Sequence, residues 1–339
     1  MTAGVLDTPT ISSAPLSLIA DGLEANSIDA GRAFAEHGLT RTASADGVIP
    51  LSRFAGLLQT AASAADPSPR IWLTGRAIAA PSLGSLFADH RSEPRLGGLL
   101  SGIIAELNAI QTGSDFSLGV DADVCTVSYR IVDPSIWPRS RDAEFTLGFF
   151  EGVIEAACGL RSGFLDAIAF EHGRDSRGEI ARHAGLPPIF EEPTNYLAFP
   201  VGLLDAPIVI EPDPKPTAAW AASPPISRAP VGDEVALAIY RRVGQGAVSQ
   251  ERIAEDCGMS ERSLRRLLRE DGVSFRDLLD RARIAYAQWA LAATDLPVSE
   301  IANRAGYADQ SAFSRAFRRR TGRTPSTFRP AGPAARPHD

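Results

Sequence analysis

Residues that build disulfide and metal chemistry are scarce in this chain. Its three cysteines, Cys125, Cys158 and Cys257, are spread through 339 residues with no close pair. That spacing excludes a disulfide framework and gives no zinc motif. The five histidines, His37, His90, His172, His183 and His338, are equally scattered. No apolar run reaches about 18 residues, so no membrane-spanning helix is expected. The first twenty residues lack the basic start and apolar stretch of a secretory signal, and the expected compartment is the cytoplasm. Catalytic fingerprints are missing as well: there is no G-x-S-x-G, G-x-G-x-x-G, Walker loop or H-E-x-x-H. Residues 244–249, GQGAVS, imitate a phosphate loop without its lysine. His172 beside Glu171 is the best acid–base candidate, but a histidine at a strand end is more often a satisfied rim residue. The expectation is a protein without catalysis, cofactor or metal.

What is present is a split of charge. The formal net charge is −7, which taken alone argues against a nucleic-acid partner. From residue 231 onward, however, 18 basic side chains face 14 acidic ones, a net of +4. The remainder holds 16 against 27, a net of −11. An acidic module joined to a basic one places any DNA contact in the C-terminal part.

Within that part, GYADQSAFSRAFRRRTGRTPSTFR (306–329) follows a short helical pattern, IANRA. Phe313 and Phe317, four apart and flanked by Ala312 and Ala316, mark a buried face. Ser311, Ser314, Arg315 and Arg318 fall on or near the opposite face. Gly322 reads as the helix stop, and Pro325 blocks continuation. A tight turn followed by a short Arg-rich helix suits a recognition helix in the major groove. The same layout occurs earlier in IAEDCGMSERSLRRLLRED (253–271). Ala254, Gly258 and Leu264 have the offsets of helix-turn-helix packing, repeated by Ala302, Gly306 and Ala312. Aligned by helix instead, LRRLLR matches FSRAFR, with Arg266 opposite Arg315 and Arg269 opposite Arg318, and the second turn is one residue longer. Between the copies, Phe275, Leu278, Leu279, Ala282, Tyr286, Trp289 and Ala290 form one stripe of a helix over 275–293. Nineteen residues span roughly 28 Å, suited to holding two recognition helices near one duplex turn apart, about 34 Å.

Residues 232–330 resemble the DNA-binding domain of the AraC/XylS family of bacterial transcription regulators. The match covers both helix-turn-helix units (249–271 and 298–321), the joining helix and the C-terminal signature quoted above. The resemblance implies double-stranded promoter DNA and RNA polymerase as partners. Its base-facing positions fall here on Arg262, Arg265 and Arg266 in the first unit, and on Gln310, Ser311, Ser314 and Arg315 in the second. The chemistry agrees, since Arg reads guanine O6/N7 and Gln reads adenine N6/N7. Phosphate contacts are expected from Arg269, Arg318, Arg319, Arg320 and Arg323. Glu261 and Asp309 depart from a phosphate-seeking surface and are expected to cap their helices.

The N-terminal part reads mainly as helices to residue 112, clearest at 16–25, 29–37, 51–65 and 96–110. CTVSYRI (125–131) alternates as a half-buried strand. Helical spacing returns over 142–160 through Phe145, Phe149 and Ile154. Strands are expected at 164–171 and 196–201, and a helix at 174–184. Helices around a small, mostly antiparallel sheet make an α+β domain, so the expected class is an α+β sensor domain followed by an all-α DNA-binding domain. RAFAEHGL (32–39), IPLSRFAGLL (49–58) and YRIVDPSIWPRSRDAEFTLGFFEG (129–152) resemble the arabinose-binding-type effector domain found in that family. The resemblance implies a small-molecule effector and a homodimer through 12–212. The candidate effector contacts are Tyr129, Arg130, Trp137, Asp142 and Glu144. Residues 213–231 read as a Pro-rich linker, and 331–339 as a disordered tail. A small-molecule-modifying enzyme with an appended DNA module is the alternative; a pocket without convergent titratable groups would oppose it.

Overall fold

The computed structural model describes residues 9–42, 47–63, 70–88, 94–133, 136, 139–173, 180–209, 231–246 and 248–329. The linker, the C-terminal tail and Trp137 lie outside the described residues. Two units separate: 1–171 with 175–227, and 228–339 with 172–174.

The N-terminal unit begins with β1 (Thr10–Ser12), α1 (Leu16–Ala25) and α2 (Ala30–Glu36). Next come β2 (Val48–Pro50), α3 (Leu51–Ser63), α4 (Arg70–Ala88) and α5 (Leu96–Ile110). β1 pairs antiparallel with β2, a short ladder that the helical reading of this region leaves out. The main sheet contains β3 (Ser114–Asp121), β4 (Val124–Ile131), β5 (Ala167–Ala169) and β6 (Asn195–Pro200). Its order is β3-β4-β6-β5, every neighbour antiparallel. α6 (Ser140–Cys158) precedes β5, and α7 (Ile180–Ala184) precedes β6.

Two further elements, α4 and β3, escape the periodicity reading. α4 carries Pro81, and its apolar residues follow no single stripe. β3 joins β4 through Ala122, whose φ of +49° occupies a region where Gly or Asn is the usual signal. The expected strand over 164–171 shrinks to its middle three residues in the ladder, and α7 covers only the end of the expected 174–184 helix, whose earlier residues lie outside the described set.

α6 is the axis of this unit. Leu147, Phe150, Val153, Ile154 and Ala157 are fully buried on it, because α3, α4 and the sheet all pack against it. Its crossing with α4 is backbone on backbone. A Cβ added at Gly148 would stand 2.3 Å from the Trp72 carbonyl oxygen, and one at Gly75 2.1 Å from that of Phe145. Only glycine permits that approach. Gly159, at φ +62°, ends the helix.

The C-terminal unit is all helix: α8 (Val231–Arg242), α9 (Gln250–Asp256), α10 (Glu261–Glu270), α11 (Phe275–Ala293), α12 (Val298–Arg304), α13 (Gln310–Thr321) and α14 (Pro325–Phe328). The joining helix has the bounds read from its stripe. Leu278, Ala282, Tyr286, Trp289 and Ala290 are buried, and Ile284, Ala287 and Leu291 join them, while Phe275 and Leu279 are half-buried. Pro325 does more than block α13. It opens a further turn of helix that sets Phe328 edge-on against Phe317, with centroids 5.3 Å apart.

Candidate nucleic-acid interface and effector site

Both helix-turn-helix units are built by one local device. At the end of α9, the N–H of Gly258 donates to Glu255 O at 2.9 Å, and that of Met259 to Ala254 O at 2.9 Å. At the end of α12, Gly306 donates to Asn303 O at 2.8 Å and Tyr307 to Ala302 O at 3.0 Å. These are the paired bonds of a Schellman stop, with glycine in the left-handed region at φ +66° and +79°. The second helix then starts on a polar cap. Ser260 accepts from Ser263 N at 3.2 Å, and Asp309 from Ala312 N at 2.7 Å. Asp309 therefore caps as expected. Glu261 does not; Ser260 takes that place and Glu261 falls in the first turn. α10 begins three residues after its turn glycine and α13 four after, so the longer second turn is real.

That extra residue decides which side chain faces the partner helix. Leu264 in α10 is fully buried, and its counterpart is Phe313, also fully buried, while Ala312 is half-buried. The match by helix, not by offset from the glycine, describes the packing. Ile253 and Ala254 meet Leu264 and Leu268 in the buried core of the first unit. Ile301, Ala302 and Ala305 do so with Phe313 and Phe317 in the second. Tyr307 stacks at a tilt on Phe313 with 5.4 Å between centroids, and Arg283 lies 5.4 Å over the Tyr307 ring. Cys257, the C-cap residue of α9, is half-buried.

With the apolar side turned inward, the opposite faces carry the cations. Arg262, Arg265, Arg266 and Arg269 are exposed on α10; Gln310, Ser311, Arg315, Arg318, Arg319 and Arg320 are exposed on α13. Ser314 is half-buried. Arg265 pairs with Glu261 at 3.0 Å and Arg266 with Glu270 at 2.9 Å. Arg323 is exposed, donates to the Thr327 carbonyl and lies 5.5 Å over the Phe328 ring.

In the N-terminal unit, the structure places four of the five candidate effector residues in the interior. The Tyr129 hydroxyl donates to Asp142 Oδ2 and receives Gln111 Nε2 at 3.4 Å. Arg130 Nε donates to Glu171 Oε2 at 3.0 Å, and Arg139 Nε meets Glu171 Oε1 at 2.9 Å. Asn195 ties the two halves: its Oδ1 accepts from Glu171 N at 2.9 Å, and its Nδ2 donates to Tyr129 O at 3.0 Å. Glu144 pairs with Arg141 instead. Burial pushes Asp142 up to about 7, against the opposing pull of the Tyr129 hydroxyl and Arg139. Asp142 Oδ1 has no hydrogen-bond partner among the described residues. Gln111, Arg139, Glu171 and Asn195 belong to this network and were not candidates. The pair Glu171–His172 drew attention to the histidine, whereas the carboxylate is the hub. His172 Nδ1 lies 2.9 Å from the Gly173 carbonyl oxygen.

A second buried carboxylate sits further along α6. Glu151 accepts from Trp72 Nε1 at 2.8 Å and faces Arg76 Nε at 3.3 Å, while Arg76 also holds Glu155 at 2.6 Å. Burial pushes Glu151 up to about 7 despite Arg76. Among the described residues no cluster of metal-ligating side chains is present, and no helix is long and apolar enough to cross a membrane.

Residues 28–208 match the arabinose-binding domain found at the N-terminus of AraC transcription regulators. Residues 253–331 match a helix-turn-helix domain family. The chain is 38% identical over 106 residues to the HTH-type transcriptional regulator VirS of Mycobacterium tuberculosis, 31% of either chain. It is 43% identical over 81 residues to the ornithine utilization regulator of Pseudomonas aeruginosa, 24% of either chain. It thus spans about a third or less of the length of these curated relatives. Among solved structures, it is similar to the regulator CdpR of Pseudomonas aeruginosa, with 20% identity, 88% of this chain and 96% of that one covered, and a TM-score of 0.38. The DNA-binding domain of AdpA, solved with a target DNA, has 29% identity, 32% and 98% coverage and a TM-score of 0.26. With one family match spanning more than half of its length and the other falling on its two helix-turn-helix units, the chain belongs to the AraC family of transcription regulators and carries an arabinose-binding-type N-terminal domain.

Proposed function

We propose that this chain is a sequence-specific DNA-binding activator of transcription whose N-terminal domain binds a small-molecule effector. The observation that carries the DNA half is the pair of Schellman-turned units on one 19-residue helix, each presenting exposed arginines on its second helix. Arg262, Arg265, Arg266, Gln310, Ser311, Ser314 and Arg315 read base edges. Arg269, Arg318, Arg319, Arg320 and Arg323 hold phosphates. Contact with RNA polymerase and dimerisation through the N-terminal domain belong to the same reading. The similarity to an HTH-type transcriptional activator, RhaR of an Enterobacter strain, 40% identical over 80 residues, supports activation. The test is fluorescence anisotropy of the full chain on the duplex it enriches from a random pool and on random duplex. A protein that binds both with equal affinity would refute sequence-specific regulation.

For the effector, the support is the convergence of polar side chains around Tyr129 and Asp142 inside an otherwise apolar unit. Apolar walls with a few placed polar groups are the usual form of a small-molecule site. A cationic effector would pair with Asp142 or Glu144, and a carboxylate with Arg130. Trp137 completes the proposed set. A thermal-shift screen of small metabolites, repeated on Tyr129→Phe and Glu144→Gln, tests it. Unchanged affinity in both variants would move the site elsewhere.

A further inference from the structure

The two recognition helices carry four arginines each, yet their net charges differ. α10 has Arg262, Arg265, Arg266 and Arg269 between Glu261 at its first position and Glu270 at its last, a net of +2. α13 has Arg315, Arg318, Arg319 and Arg320 and no carboxylate, a net of +4. On α10 both acids are engaged one helical turn away: Arg265 Nη2 to Glu261 at 3.0 Å, and Arg266 Nη1 to Glu270 at 2.9 Å. The two side chains so held belong, with Arg262, to the set proposed to read bases; among the described residues Arg262 and Arg269 are in no ion pair.

Glu270 is not explained by helix stability. A carboxylate in the last turn opposes the helix dipole, and Arg before Glu at i, i+4 is the weaker orientation. Its four-residue reach to Arg266 remains as its distinctive feature. Exposed pairs of this kind are weak, so a guanine edge with two acceptors can replace the carboxylate. A lone phosphate gains less from the same arginine, because the carboxylate already neutralises it and repels the backbone. Specificity rises when the wrong partner is disfavoured more than the right one.

We propose that Glu261 and Glu270 are specificity determinants: they discount the attraction of the first unit for DNA backbone, so that Arg265 and Arg266 engage fully only at matched bases. The second recognition helix, which itself carries no carboxylate, then provides the salt-dependent grip. The inference rests on the DNA-binding reading above.

The experiment measures full-chain anisotropy on the duplex enriched by the wild type and on random duplex, across salt. Glu270→Gln should strengthen binding to random duplex about two- to five-fold and steepen its log–log salt slope by roughly 0.9. Affinity for the enriched duplex should change less, lowering the ratio of the two. Glu261→Gln should act in the same direction. Glu251→Gln removes the same charge from an exposed position in the first turn of α9; it should leave the ratio unchanged. Equal strengthening on both duplexes by Glu270→Gln, or none on either, overturns the proposal while the DNA reading stands. A wild type without preference overturns both.

Discussion

The two units of this chain use arginine in opposite ways. In the N-terminal unit Arg130 and Arg139 are 2% and 3% exposed and share one carboxylate, Glu171. In the C-terminal unit Arg262, Arg265, Arg266, Arg315 and Arg318–Arg320 are exposed. The guanidinium is the same; the surroundings decide its task. Buried, its charge needs a fixed partner, and the pair becomes a cross-link between β4 and the segments leading into α6 and out of β5. Exposed, it adds little to the fold and stays available to a polyanion. The contrast runs through the acids as well: the N-terminal unit hides Asp142, Glu151 and Glu171, while the carboxylates of α10 stand in solvent.

The largest effect should come from breaking the buried side of that contrast. Glu171→Ala leaves two buried guanidiniums without their shared carboxylate and should cost about 3–5 kcal/mol. Urea unfolding of the full chain, followed by near-ultraviolet circular dichroism, checks this; a loss below about 1 kcal/mol would mean water already screens the pair.

On the exposed side, Arg315→Ala should leave the unfolding midpoint in place. It should cost about 1–3 kcal/mol of binding at one operator position, as expected for a bidentate contact to guanine. Binding to a panel of single-base operator variants identifies that position. Equal loss on enriched and random duplex would remove Arg315 from the base-reading set.

Asp142 and Glu151 sharpen the comparison through pH. Both are raised to about 7 by burial, so between roughly pH 4 and 7 the folded state holds protons that the unfolded chain has released. Their contribution to stability is greatest at low pH and falls as pH rises through 7. Moving from pH 8 to pH 6 should raise the melting temperature of the N-terminal unit by a few degrees, and the double variant Asp142→Asn, Glu151→Gln should flatten that rise. A wild-type curve that slopes the other way would place both groups in a more polar setting.

The smallest effect belongs to the exit of α13. Arg319→Ala should weaken all duplexes alike and lower the salt slope by roughly 0.9, one phosphate's worth. A change confined to the enriched duplex would make Arg319 a base reader instead.

Much of the C-terminal unit was legible because its signals are local. Gly258, Gly306 and Gly322 sit where the chain needs positive φ, Ser260 and Asp309 where a helix needs a cap. Phe313 and Phe317 lie one helical turn apart on the buried side. Such features depend on neighbours within about four residues, so the order of residues carries them. Even there, only the folded turn made Phe313, and not Ala312, the counterpart of Leu264, because one added residue rotates the next helix.

The N-terminal unit was less legible for the same physical reason in reverse. β3 begins its turn at an alanine, and α4 interrupts its helix with Pro81, so their local signals are weak and their partners hold them. Tyr129, Arg130, Asp142 and Glu144 were recognisable as chemistry-bearing residues in one block, but not their partners. Gln111, Glu171 and Asn195 stand 18, 41 and 66 residues from the groups they bond on β4. The sequence by itself determined the two helix-turn-helix units, their joining helix and the split of charge, since each is written in short-range pattern or composition. Only the tertiary structure decided which ionisable groups lose water together, because desolvation and pairing depend on who is nearby in space, and the sheet brings together what the chain keeps apart.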